Sequence, residues 1–110
     1  AKVKGLHTMS MLHTVNKSPF ERGALESCLR LAKSGAAVLL IEDGVYAALA
    51  DTAKSELIEG RKADLKFYVL DTDLDARGLS EKPTIDGVET VDYGGFVDLV
   101  AEHDAVQSWL

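Results

Sequence analysis

Cys28 is the sole cysteine of the 110-residue chain, and its thiolate is the one good nucleophile on offer without an obvious helper. A cysteine that accepts sulfur must reach its donor and must ionise. In a persulfide relay each cysteine takes sulfur from the one before it, chemistry close to thiol–disulfide exchange. One cysteine per carrier suffices, because nothing has to be resolved within the chain. Against this, Cys28 falls near the middle of the apolar arc of a helical stretch, where a free cysteine packs as a small hydrophobe. It also lies about halfway along that stretch, away from the N-terminus where the helix dipole would lower its pKa. Periodicity alone favours packing. A reactive role requires that the arc face a crevice or a neighbouring subunit.

The other chemistry-bearing residues do not assemble into a known pattern. His7, His13 and His103 are far apart and, with one cysteine, give no metal-ligand spacing, so neither a metal nor a cofactor is expected. His13 reads as a strand residue and His103 as a helix end. There is no Gly-rich phosphate loop followed by Lys-Ser/Thr, and no Gly-x-Gly-x-x-Gly after the first strand. No Gly-x-Ser-x-Gly elbow is present either. Glu42, Asp43 and Asp71 fall at strand ends, as the acids of phosphoacceptor domains do. The acid pair follows the second strand, however, the first strand runs into Asn16-Lys17, and the last strand carries no lysine. These acids are expected to brace loops and cap helices.

Composition narrows the partners. The formal net charge is -6 with a pI near 4.9, and the basic residues are scattered, with only Arg61-Lys62 adjacent from Lys17 onward. Phosphate-backbone binding needs a basic surface, so no direct contact with nucleic acid is expected, and these cations read as a solvated surface. The apolar run 36–41 falls far short of the roughly 20 residues a membrane-spanning helix needs. Residues 1–8 lack the apolar core of a secretion signal. They read as an expression remnant or a flexible N-terminus, with the native chain starting at Met9 and residues 9–110 forming a single domain. A lone cysteine without a secretion signal fits a reducing cytoplasm.

The elements that must position Cys28 alternate between short apolar runs and amphipathic stretches, a pattern of βα units. Residues 11–15 read as the first strand. Ser18-Pro19-Phe20-Glu21 has the form of a helix start: an N-cap, a proline at the first position and an acid three residues on. The helix is expected to run to about Ser34, closed by Gly35. At 100° per residue, Phe20, Ala24, Leu25, Cys28, Leu29, Leu31 and Ala32 share one half of it. Residues 36–41 do not alternate, as expected of a central parallel strand buried on both faces. Residues 45–50 read as a short helix, the polar stretch 51–63 as a second short helix that ends near Gly60, and 65–70 as a third strand. Residues 71–78 hold a helical turn, 88–92 a fourth strand, 93–102 a helix, and 105–110 a fifth strand closing one sheet edge. The expected architecture is an α/β fold, a three-layer α/β/α domain with a mainly parallel sheet of four to five strands. Sites in such sheets gather outside the carboxyl ends of the strands, here Asn16-Lys17, Glu42-Asp43-Gly44, Asp71 and Asp92-Tyr93.

The run Met11-Leu12-His13-Thr14-Val15-Asn16-Lys17-Ser18-Pro19-Phe20 closely resembles the start of DsrH/TusB proteins. So do Leu39-Leu40-Ile41-Glu42-Asp43-Gly44-Val45-Tyr46-Ala47-Ala48, Phe67-Tyr68-Val69-Leu70, Asp75-Ala76-Arg77-Gly78, Val91-Asp92-Tyr93 with Phe96-Val97-Asp98-Leu99, and Trp109-Leu110. The resemblance extends from Met9 to Leu110, in the family's order and spacing. It implies a small α/β subunit of a cytoplasmic sulfur-relay complex that handles persulfide sulfur. The partners implied are DsrE/TusD-like and DsrF/TusC-like subunits in a heterohexamer with two copies of each, together with other sulfur-carrier proteins. One branch of the family feeds 2-thiolation of the wobble uridine of tRNA; the other serves dissimilatory sulfur oxidation. Cys28 matches the cysteine that DsrH-type members carry in the first helix and some TusB-type members lack, which tilts toward the second branch. As the catalytic site residue implied, Cys28 would be a persulfide acceptor in a carrier rather than in a stand-alone enzyme. The alternative is a non-catalytic assembly subunit, with the sulfur carried by the DsrE/TusD-like partner.

Overall fold

The computed structural model describes residues 10–110. The expectations for residues 1–8, for His7 and for a start at Met9 lie outside the described residues. Five strands form one sheet: β1 (Met11–Val15), β2 (Ala37–Leu40), β3 (Lys66–Leu70), β4 (Val88–Val91) and β5 (Ala105–Trp109). Their order is β4-β3-β2-β1-β5 and every pairing is parallel. The register sets Val15 beside Leu40 on one side and beside Trp109 on the other.

The connections follow from the order. The chain steps from β1 to β4 in one direction through α1 (Ala24–Leu31), a 3₁₀ helix (Glu42–Ala48), α2 (Ser55–Glu59) and α3 (Asp71–Ala76). It then returns through α4 (Tyr93–Glu102) to place β5 beyond β1. Right-handed crossovers put helices on opposite faces when the direction of travel reverses. The core divides accordingly. Val15, Val38, Leu40, Phe67 and Val69 pack under α1, the 3₁₀ helix, α2 and α3. On the other face Leu12, Ala37 and Leu39 pack with Leu99 and Phe96 of α4 and with Ile41, Tyr68 and Val91. This is the three-layer domain expected, and β2 is buried along its whole length, as its unbroken apolar run required.

The first helix departs from the expected boundaries at both ends. It begins at Ala24, not at Ser18, and ends at Leu31, not near Ser34. The Ser18 signal is real but closes a turn: its carbonyl accepts from the Glu21 and Arg22 amides, and its Oγ accepts from the Phe20 amide at 3.2 Å. Gly23 then interrupts the coil, and helix resumes behind it. At the far end Gly35 sits at φ +92 and its amide donates to the Asp64 carbonyl at 2.7 Å, so it turns the chain toward β2 instead of closing the helix. The short helix expected over 45–50 is the 3₁₀ helix, starting three residues earlier. Gly44 within it lies against β1: a Cβ there would stand 2.1 Å from the Val15 carbonyl oxygen, so only glycine fits the approach.

Candidate functional site

Cys28 lies on the inward face of α1 with Leu25 and Leu29, at 0% exposure. Its surroundings are the larger of the two cores. Burial pushes the thiol up from 9.0 to about 12, and the nearby Arg61 guanidinium offsets that only in part. Cys28 is thus sealed from solvent, and burial favours its protonated form.

Arg61 is the residue that sequence reasoning placed wrongly. It was expected on a solvated surface, yet its guanidinium reaches back to α1 and donates to the Leu29 carbonyl and, at 3.1 Å, to the Ala32 carbonyl. It also grips Asp64 through Nε and Nη2 at 3.2 and 3.0 Å, and Asp64 in turn accepts from Ser34 Oγ at 3.0 Å. The hydrogen bond from Arg61 holds the Asp64 carboxyl below its ordinary range. The orphan carbonyls at the end of α1 are thus met by a side chain 29 residues further along the chain. The i, i+3 spacing of Arg61 and Asp64 was the only local sign of this arrangement.

The carboxyl ends of the strands carry the acids, and the fold uses most of them itself. Asp73 Oδ2 accepts from the Glu42 amide at 2.7 Å, where Glu42 is held at φ +50. Arg77 Nε pairs with Asp43 at 2.8 Å. Asp92 caps α4, its Oδ1 accepting from Gly95 at 2.7 Å. Of the three acids expected to brace loops or cap helices, Asp43 does so through Arg77, Glu42 contributes only its backbone amide, and the remaining bracing and capping fall to Asp73 and Asp92. Asn16 Oδ1 and Asp71 Oδ1 are buried without a hydrogen-bond donor among the described residues. An open cleft of about 320 Å³ is lined by Ser18, Phe20, Glu21, Asp43 and Tyr46; neither Asn16, Asp71 nor Cys28 lines it. Among the described residues no three His, Cys, Asp or Glu side chains are placed to hold a metal ion. His13 is buried in β1 and accepts at Nδ1 from Trp109 Nε1 at 3.0 Å, while His103 Nδ1 faces the Leu99 carbonyl at 2.6 Å as α4 ends.

The described residues form a small single-sheet α/β/α domain, wholly parallel, with a sealed thiol and acids at the strand ends. The family model for DsrH-like proteins matches residues 17–106. Protein TusB of Pectobacterium parmentieri is 39% identical over 100 residues, which span 90% of this chain and 100% of that protein. Protein TusB of Erwinia tasmaniensis is 41% identical over 103 residues with the same coverage. The chain belongs to the DsrH/TusB family. Its fold is similar to that of the ychN protein from E. coli, with a TM-score of 0.82, 24% identity, and coverage of 92% of this chain and 99% of that one. MTH1491 of Methanobacterium thermoautotrophicum, a protein of unknown function, shares the fold at a TM-score of 0.74, with 19% identity and the same coverage.

Proposed function

We propose that the chain is a non-catalytic assembly subunit of a cytoplasmic sulfur-relay complex, in which persulfide sulfur travels on a partner subunit. The observation that carries this reading is the burial of Cys28, with its thiol pushed up to about 12. A carrier cysteine has to be exposed and ionisable; this one is packed as a core methyl-sized group. The partners are DsrE/TusD-like and DsrF/TusC-like subunits, in a heterohexamer with this chain. Cys28 ceases to discriminate between the branches once it is read as a packing residue. Similarity to TusB proteins along the whole of their length then favours relay toward wobble-uridine 2-thiolation over sulfur oxidation. No helix among the described residues is long and apolar enough to cross a membrane, which agrees with a cytoplasmic complex.

The test is reconstitution with the two partner subunits and a persulfide donor. Mass spectrometry of each subunit should find the added sulfur on a partner and none on Cys28. Cys28→Ala should leave transfer intact. A sulfur adduct on Cys28 inside the assembled complex, or loss of transfer in a Cys28→Ala complex that still assembles, overturns the proposal. One observation favours that rival carrier reading: the Arg61 charge acts on the Cys28 thiol in the direction that promotes thiolate. Burial outweighs it as the chain stands alone.

A further inference from the structure

Helix α4 carries more apolar surface than the sheet can cover. At 100° per residue, Gly95, Phe96 and Leu99 form the arc toward the sheet, where Phe96 and Leu99 pack against Leu12 and Leu39. Tyr93, Val97, Val100 and Ala101 form an adjoining arc about 100° wide. Nothing in the described chain covers it: Tyr93 is 66%, Val97 49% and Val100 41% exposed. Val106 of β5, on the same side of the sheet as Leu12, extends the patch at 43% exposure. An amphipathic surface helix needs one apolar stripe of this width, and a helix apolar on two adjoining arcs is one that is buried on both. Among the described residues β5 is moreover an edge strand, with β1 on one side only.

The border of the patch is mostly acidic. Asp98 and Glu102 occupy the remaining arc of α4, and Glu89 lies on the neighbouring β4. From Pro83 to Leu110 the sequence holds six acids and no Lys or Arg. Lys66, exposed at the start of β3, is the one basic residue among the strand positions of this face. Negative potential converges here: the Tyr68 phenol beneath α4 is pushed up by burial, then by Glu89 and Glu102.

We infer that the outer face of α4, continued by Val106, is the docking surface for a different chain, one that presents an apolar patch bordered by Lys or Arg. An apolar centre with a charged rim is the anatomy of a specific interface. A second copy of this chain is a poor occupant, because a two-fold interface repeats the same patch and would set Asp98 and Glu102 against like charges. The inference rests on the assembly-subunit reading, since it takes the occupant to be one of the relay partners.

The experiment measures binding of the purified chain to the purified DsrE/TusD-like and DsrF/TusC-like subunits by analytical ultracentrifugation and calorimetry, at low and high salt. Val97→Asp should weaken the complex by at least about tenfold. The double change Asp98→Lys and Glu102→Lys, at exposed positions that do not threaten folding, should weaken it at low salt, with the loss shrinking at high salt. Glu56→Lys on exposed α2 should change nothing. A complex that forms equally with every variant overturns the assigned face and leaves the subunit reading standing. Absence of any complex, with Val97-dependent self-association of the chain alone, makes the occupant a second copy and overturns the inference. A chain that binds neither partner subunit nor itself overturns the inference and the subunit reading together.

Discussion

His13 shows how one buried side chain ties an edge strand to the sheet and sets a pH limit. It lies in β1, with its ring against Trp109 at 6.0 Å between centroids and its Nδ1 accepting from the indole N–H. Burial lowers its pKa below 6.5, so the folded state holds the imidazole neutral. The unfolded chain then binds the proton more readily, and stability falls as pH drops below 6.5. Protonation would also place an N–H opposite the Trp109 donor. Denaturant midpoints for the wild type and His13→Gln, followed between about pH 7 and 5, should show the variant with the flatter curve. Parallel curves would mean that His13 does not titrate as a buried neutral group. That His13 belongs to a strand was legible from the run Met11-Leu12-His13-Thr14-Val15. Its partner was not, because Trp109 is 96 positions away and only the β1–β5 register brings it alongside. Cys28 was legible to the same depth: the helical period placed it on the apolar arc, while the degree of sealing depended on what the arc met.

At the scale of elements, α1 shows where local signals stop. The strands were readable because an unbroken apolar run such as Ala37–Leu40 serves a buried parallel position and little else. Tyr93–Glu102 was readable from its apolar period, although Asp92, read as the end of the fourth strand, is in fact its cap. The ends of α1 were misread because Ser18 caps a turn ahead of Gly23 and because the terminal carbonyls are met by Arg61, a contact made only after folding. Arg61→Ala should therefore cost about 1–3 kcal/mol, since it strands carbonyl groups at a half-buried helix end. Arg61→Lys should recover only part of this, because one ammonium cannot span two carbonyls and Asp64 as the planar fork does. Urea denaturation of the three proteins checks both statements. A variant within about 0.5 kcal/mol of wild type would reduce Arg61 to an ordinary surface cation.

Across the whole molecule the two faces of the sheet are unequal, and the inequality decides how stability is distributed. Among the described residues four helical segments seal one face and α4 alone lies on the other, and of its ten residues only Leu99 is buried. Local opening free energies follow buried apolar contact, so α4 and the edge strand β5 belong to the weaker part of the fold and β1–β3 to the stronger. The amides of α4 should therefore exchange with deuterium before those of β1, β2 and β3 in the isolated chain, although the Asp92 cap holds the helix N-terminus. Cys28 should resist alkylation over the same period, because its opening belongs to the stronger face. Addition of the partner subunits should restore protection to α4 more than to α2, whose outer side has no comparable apolar arc. If α4 in the free chain proves as slow to exchange as β2, the helix is held by the sheet alone, and its outward valines and Tyr93 have no stability to gain from a neighbour.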